Sequence, residues 1–339
     1  MSRRIFGSLA DGTPIEALTL GGADGLQAEI LTYGGILRRL TLPARQGRTD
    51  LVLGLPDLDA YVGDSAFLGS IVGRFSNRIA GASFTLDGQH YRLSANDGTH
   101  HLHGGVLGFG KRVWTVLDFA PGARARLRLG LRALAGEDGY PGNLEVSAEF
   151  LLDTDRLELH FEARCDAPTP VSLTYHPYFN LAGSTRSLED DHGLRICADR
   201  FLPVLDRSLI PTGEVRAVQD TPFDYRRLRL LRPVAHDVHP QLAAAGGYDH
   251  CFVVNPGAEV AAELRSAYSG VELRIGTDQP GLQFYGGQAL PRQHPGRGQG
   301  ICLEPQGFPN APNEPAFPSS ILRPGLLYSR WLAYTFSHR

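Results

Sequence analysis

Short alternating segments, each closed by a turn dipeptide, run the length of this chain, and that pattern confines it to a β-rich fold. Arg126-Leu127-Arg128-Leu129-Gly130-Leu131 alternates, as do Leu157-Glu158-Leu159-His160-Phe161 and Val271-Glu272-Leu273-Arg274-Ile275. Successive strand side chains point to opposite faces, so each such segment buries one face and wets the other. Turn signals separate them at Asp11-Gly12, Asp87-Gly88, Asp97-Gly98, Pro141-Gly142, Pro256-Gly257 and Pro324-Gly325. Phe84-Thr85-Leu86 and Tyr91-Arg92-Leu93 on either side of Asp87-Gly88 predict a tight hairpin. Helical periodicity is confined to 55–61 and 234–245. With no repeat and no linker, so many strands predict an all-β fold, a large β-sandwich with few short helices. The 339 residues are expected to form a single domain, 1–339.

Composition narrows the function classes. A net charge of −3 gives no basic field to recruit nucleic acid or anionic lipid. No apolar run approaches the roughly 20 residues of a membrane helix, and the first residues lack the apolar core of a secretory signal. Cys165, Cys197, Cys251 and Cys302 are far apart, which suits reduced thiols and a cytoplasmic location. Lys111 is the only lysine, so any Schiff-base chemistry would rest on it alone.

Several segments offer chemistry, each with a plainer structural alternative. In Thr174-Tyr175-His176-Pro177-Tyr178-Phe179-Asn180-Leu181 a histidine sits among aromatics, as a proton carrier or as a satisfied core residue. Glu304, in Leu303-Glu304-Pro305-Gln306, ends a strand and is either a fixed general base or an edge charge. His101 and His103 have the His-x-His spacing of a metal pair, although His103 beside Gly104-Gly105 equally suits ligand hydrogen bonding or an exposed loop. Gly73-Arg74-Phe75-Ser76-Asn77-Arg78 brings amide and guanidinium groups that suit vicinal hydroxyls or a carboxylate, or are surface charge. Asp249 and Gln283 are ambiguous between ligand contacts and local structure. The stretch 105–112 nearly fits a phosphate loop but has Arg112 where a Ser or Thr would hold magnesium. No Gly-x-Ser-x-Gly elbow and no dinucleotide fingerprint occurs.

As an ordered set these segments resemble the aldose 1-epimerase (galactose mutarotase) family. Gly73 to Ile79, Leu102-His103-Gly104-Gly105, the His176 octapeptide, Tyr248-Asp249, Gln283, Leu303-Glu304-Pro305-Gln306 and Phe317-Pro318-Ser319-Ser320 follow the family's order through most of the chain. The resemblance implies a β-supersandwich of about thirty strands, with neither metal nor organic cofactor. It implies His176 as acid and Glu304 as base, with Asn77, Arg78, His103, Tyr178, Asp249 and Gln283 around the sugar. Phe179 and Leu181 are expected in the core. Ser76, Tyr175 and Asn310 depart from the family's commoner residues, and Tyr175 is the departure that would bear on substrate preference.

The chemistry asks for these side chains on its own account. Exchanging α and β anomers removes the proton of the C1 hydroxyl and gives one to the ring oxygen, then reverses both after rotation about C1–C2. The expected substrate is a free aldohexose such as glucose or galactose, handled by a monomer or homodimer without nucleic acid or membrane. Alternatives are a hexose-6-phosphate epimerase, which needs further cations at the pocket, and a non-catalytic carbohydrate-binding protein, which needs no acid–base pair. An inverting glycoside hydrolase would have to pair Asp249 with Glu304.

Overall fold

In the computed structural model the described residues are 2–44, 47–122, 124–183, 186–188, 191–231, 239–294 and 298–338. Twenty-eight strands lie among them, against three short α-helices, Leu58–Val62, Pro240–Ala245 and Leu290–Gln293. The strand-dominated expectation holds, and the pairings between named strands are antiparallel.

The frame is two sheets facing one another. The larger has nine strands, among them Ala125–Ala133, Leu144–Leu152, Arg156–Cys165, Tyr328–His338 and Val271–Thr277 in spatial order. Its alternation is the one legible in the sequence: Leu127, Leu129, Phe150, Leu159 and Phe161 are buried, while Arg126 and Glu145 face out. The smaller sheet has six strands, including Tyr178–Phe179, Ile301–Gln306, Gly281–Tyr285 and Asp249–Val253. The two share one apolar core, where Phe179 meets Tyr334 with ring centroids 5.1 Å apart. Leu181 lies in the same core. A further five-stranded sheet, order sequential from Arg3–Ser8 to Gly47–Asp50, packs at the N-terminal side.

Register in the six-stranded sheet decides where the polar residues go. Gln283 is paired with Glu304 and with Cys251, and Tyr285 with Cys302 and with Asp249. Directly opposed residues of an antiparallel pair share a face, and residues two apart do too. Asp249, Gln283, Tyr285, Cys302, Glu304 and Gln306 therefore project from one face. Ile301, Leu303, Leu282, Phe284 and Phe252 project from the other, into the shared core.

Local expectations fare as their chemistry dictates. The Asp87-Gly88 hairpin joins Ser83–Leu86 to Gln89–Arg92 with φ of 51° and 80° at the two turn residues, the all-positive geometry of a type I′ turn. The helix expected over 55–61 begins later, at Leu58: Pro56 disfavours a helical backbone at Leu55, and Asp57 caps the first turn through Ala60 N. Of the helix expected over 234–245, residues 234–238 lie outside the described residues. Pro240 occupies the first turn of the part that is described.

Candidate functional site

The polar face of the six-stranded sheet forms the floor of a cavity of about 710 Å³, within the range of small-molecule sites. His176 and Glu304 lie at its base, 4 % and 2 % exposed. His176 Nε2 is 3.7 Å from Glu304 Oε1, and its Nδ1 is 3.4 Å from Cys302 Sγ. Glu304 Oε2 is buried without a hydrogen-bond partner. Buried carboxylate oxygens are rarely left so, and this one is available to a ligand hydroxyl.

Around this pair the wall is built from loops. Asn77 and His103 both have positive φ, 61° and 52°, and their backbones bond reciprocally to one another's residue. The Asn77 N–H donates to His103 Nδ1 at 3.2 Å, so a neutral His103 carries its proton on Nε2. Asn77 Oδ1 accepts from the Arg78 N–H at 2.8 Å. Arg78 Nε donates to Asp97 Oδ2 at 2.8 Å, and its NH1 lies 3.7 Å from Asp249 Oδ2. Gln283 Nε2 donates to Asp249 Oδ1 at 2.6 Å.

Burial sets the electrostatics. Desolvation lowers His176 to about 4, opposed by a hydrogen bond to its own backbone and by Asp64. His103 is pushed well below 6.5 by desolvation first, then by His176 and Arg78. Glu304 is pushed well above 4.5 by desolvation and by Asp249, with Arg78 opposing, and Asp249 is raised mainly by its own burial. The site thus holds imidazoles that resist protonation beside carboxyls that resist losing it. Shifts of this kind in a cleft mark a candidate functional centre.

The eight residues singled out in the sequence converge. Asn77, Arg78, His103, His176, Tyr178, Asp249 and Glu304 line the cavity. Gln283 stands behind the wall and acts on it through Asp249. Tyr178 presents its ring, 5.2 Å from that of His176, while its hydroxyl donates to Ala66 O at 3.0 Å.

Other expectations are corrected. Tyr175 does not reach the cavity: strand alternation turns it away from His176 into the core, where its hydroxyl donates to Gly35 O. Arg74 is 2 % exposed and donates to Pro141 O, Gly142 O and Thr169 Oγ1, so it adds no cation to the site. The His-x-His pair does not share a face, because the left-handed φ of His103 ends the strand alternation. His101 Nδ1 donates to Ser94 O, and its Nε2 lies 2.7 Å from the Tyr140 hydroxyl. The near phosphate loop is closed by its own protein, since the N–H groups of Val106 and Leu107 donate to the Asp138 carboxylate.

Some residues at the cavity left little trace in the sequence. Asp97 read only as a turn, yet it holds Arg78. Phe67, at φ 57°, sets its ring 4.6 Å from that of His103 and walls the cavity. Cys302 was legible only as a buried thiol. Among the described residues, His176, Cys302 and Glu304 form the one converging group of metal-type donors, with ligand atoms within 4.8 Å of one another. His176 turns Nδ1 to the sulfur and Nε2 to the carboxylate.

Known proteins resemble this chain along nearly its full length. The family model described as aldose 1-epimerase matches residues 16–335. The chain is 40 % identical to a galactose mutarotase of Sus scrofa, covering 99 % of this chain and 98 % of that protein. It is 35 % identical to an aldose 1-epimerase of Escherichia coli, with 96 % of each covered. The crystal structure of an aldose epimerase homologue from C. elegans superposes with a TM-score of 0.85 at 33 % identity, over 95 % of this chain and 98 % of that one.

Proposed function

The chain belongs to the aldose 1-epimerase family and is an isomerase that interconverts the α and β anomers of aldoses; we propose that His176 and Glu304 move the protons at the anomeric centre. The observation that carries this reading is the 3.7 Å separation of His176 Nε2 and Glu304 Oε1 at the base of a buried cavity. Two groups so close can address two oxygens borne by one carbon, the C1 hydroxyl and the ring oxygen.

The pair carries one exchangeable proton. In the empty site the depressed His176 and raised Glu304 leave it on the carboxyl. A sugar hydroxyl donating to Glu304 favours the carboxylate, and the proton passes to Nε2. Glu304 then takes the C1 hydroxyl proton while His176 protonates the ring oxygen, and the C1–O5 bond breaks to give the aldehyde. Rotation about C1–C2 presents the other face of the carbonyl. Closure returns the proton from the C5 hydroxyl to His176 and from Glu304 to O1, so both residues end as they began. His103 donates through Nε2–H, Arg78 through its guanidinium, and Asp249 accepts from sugar hydroxyls while held by Gln283. These contacts keep the open aldehyde in place during rotation.

Free aldohexoses such as glucose and galactose are the substrates we assign. Asp64, Asp97, Asp249 and Glu304 line the cavity against only Arg78 and Lys111 as cations. Arg78 is engaged by Asp97, and Lys111 donates to the carbonyls of Tyr61 and Val62. Both cations are thus already held by protein groups, so the cavity favours a neutral sugar over a phosphate. We read residues 1–339 as one catalytic domain, supported by a core that runs from Leu18 to Phe336 among the described residues, and assign it as a monomer or homodimer. All four cysteines are unpaired, in keeping with a cytoplasmic setting. Among the described residues no helix is long and apolar enough to cross a membrane.

Polarimetry on freshly dissolved α-D-glucose and α-D-galactose tests the assignment. Accelerated mutarotation of either supports it. Acceleration of hexose 6-phosphates alone would overturn the choice of substrate.

A further inference from the structure

Proton exchange at His176 Nε2 imposes a condition on the other ring nitrogen. A neutral imidazole has one N–H. If that hydrogen sits on Nε2, the nitrogen facing Glu304 and the sugar has no lone pair to receive a proton. The cycle runs only when the neutral ring keeps its hydrogen on Nδ1. Which tautomer prevails is set by what Nδ1 touches.

Nδ1 touches Cys302 Sγ, at 3.4 Å, an ordinary separation for an N–H donating to sulfur. Cys302 is 0 % exposed and lies two residues before Glu304 on the strand Ile301–Gln306, so both side chains come from the same face. One rigid strand thus supplies the proton acceptor on one edge of the imidazole and a sulfur on the other. We propose that Cys302 is a positioning residue, whose sulfur accepts the Nδ1–H of His176 and so keeps Nε2 free to take up and release the catalytic proton.

The choice of a thiol in this place has a consequence. Desolvation, then Glu304, holds Cys302 well above the ordinary thiol range, so it stays uncharged, with Tyr178 opposing. A carboxylate orienting the ring would stabilise the imidazolium and make it a weaker acid. A neutral sulfur orients without doing so. The other polar or titratable groups facing the ring are Glu304 at Nε2, the Tyr178 and His103 rings at 5.2 and 5.3 Å, and Asp64 through its charge. The ring also bonds to the backbone of its own residue; among the side chains, only Cys302 is placed at Nδ1.

This inference rests on His176 being the acid–base group, and the test separates the two. Nitrogen-15 NMR of histidine-labelled full-length protein at pH 7, with His176 assigned by loss of its signals in His176→Asn, reads the tautomer directly. The expected result is Nδ1–H with bare Nε2. In Cys302→Ala the Nε2–H form should gain, and kcat should fall by about 10-fold or more with KM little changed, as for loss of a partner that orients a working histidine. Cys302→Ser, which keeps an acceptor, should restore most of both. A wild-type ring with its hydrogen on Nε2 would overturn the proposal even if Cys302→Ala failed to fold. So would a Cys302→Ala enzyme with unchanged tautomer and kcat. If His176→Asn kept full turnover, the underlying role of His176 would fall instead.

Discussion

Glu304 stands directly opposite Gln283 across an antiparallel strand pair, so carboxyl and amide rise side by side from one face of the sheet. Gln283 bonds onward to Asp249 at 2.6 Å rather than to Glu304. The register thereby builds a carboxyl with an unpartnered oxygen next to a carboxyl with a fixed one. In the proposed mechanism the first moves a proton and the second holds hydroxyls.

Replacing Glu304 by Gln keeps the shape and removes the proposed base. Mutarotation kcat should fall by about 10²-fold or more, with sugar affinity by calorimetry nearly unchanged. Near-normal turnover would remove Glu304 from the mechanism.

The pH profile follows from the shared proton. With His176 lowered to about 4, a second proton enters the pair only near that pH, leaving no base. Activity should therefore persist from neutrality into mild acid and collapse as pH falls through about 4. At the alkaline end it should be lost once the raised Glu304 gives up the single proton. A profile whose acid limb lies near the 6.5 of an ordinary histidine would contradict this.

Stability has its own pH dependence at His250, which desolvation lowers to about 3 against an ordinary 6.5. The unfolded chain binds the extra proton between those values, so His250 contributes stability that is complete above pH 6.5 and lost as pH falls toward 3. His250→Gln should accordingly lose less Tm than the parent between pH 7 and pH 4.5. Equal losses in thermal melts would refute the assignment.

Asp97 holds Arg78 from the solvent side and is 38 % exposed. Asp97→Asn should raise KM on the order of 2–5-fold with little change in kcat, the scale of a partly exposed ion pair. An effect confined to kcat would mean that Asp97 does something other than hold Arg78.

Gly104 follows His103 at φ +85°, and a Cβ there would lie 1.8 Å from Gly73 O. Gly104→Ala must displace the His103 loop, costing more than about 1 kcal/mol of stability and raising KM. Unchanged urea midpoint and KM would show that the loop does not need this backbone.

Much was legible because it is local. Alternation gave the strands, Asp87-Gly88 the hairpin, and the ordered motifs around Asn77, His103, His176, Asp249 and Glu304 the site. Tyr175 and Arg74 lie beside site residues in sequence but not in space, because adjacency along the chain does not say which way a side chain turns. His101 and His103 looked like a pair until a left-handed φ at the second broke the alternation.

The sequence by itself determined the fold class, the family and which side chains are proposed to carry the chemistry, since period-two patterning and residue type are properties of short segments. Only the tertiary structure decided that Asp97 neutralises Arg78, that Gln283 works from behind Asp249, and that Cys302 meets His176 at Nδ1. Those contacts join residues 19, 34 and 126 positions apart. Strand register and loop closure bring them together, and burial then shifts their protons. None of that is encoded within a single segment.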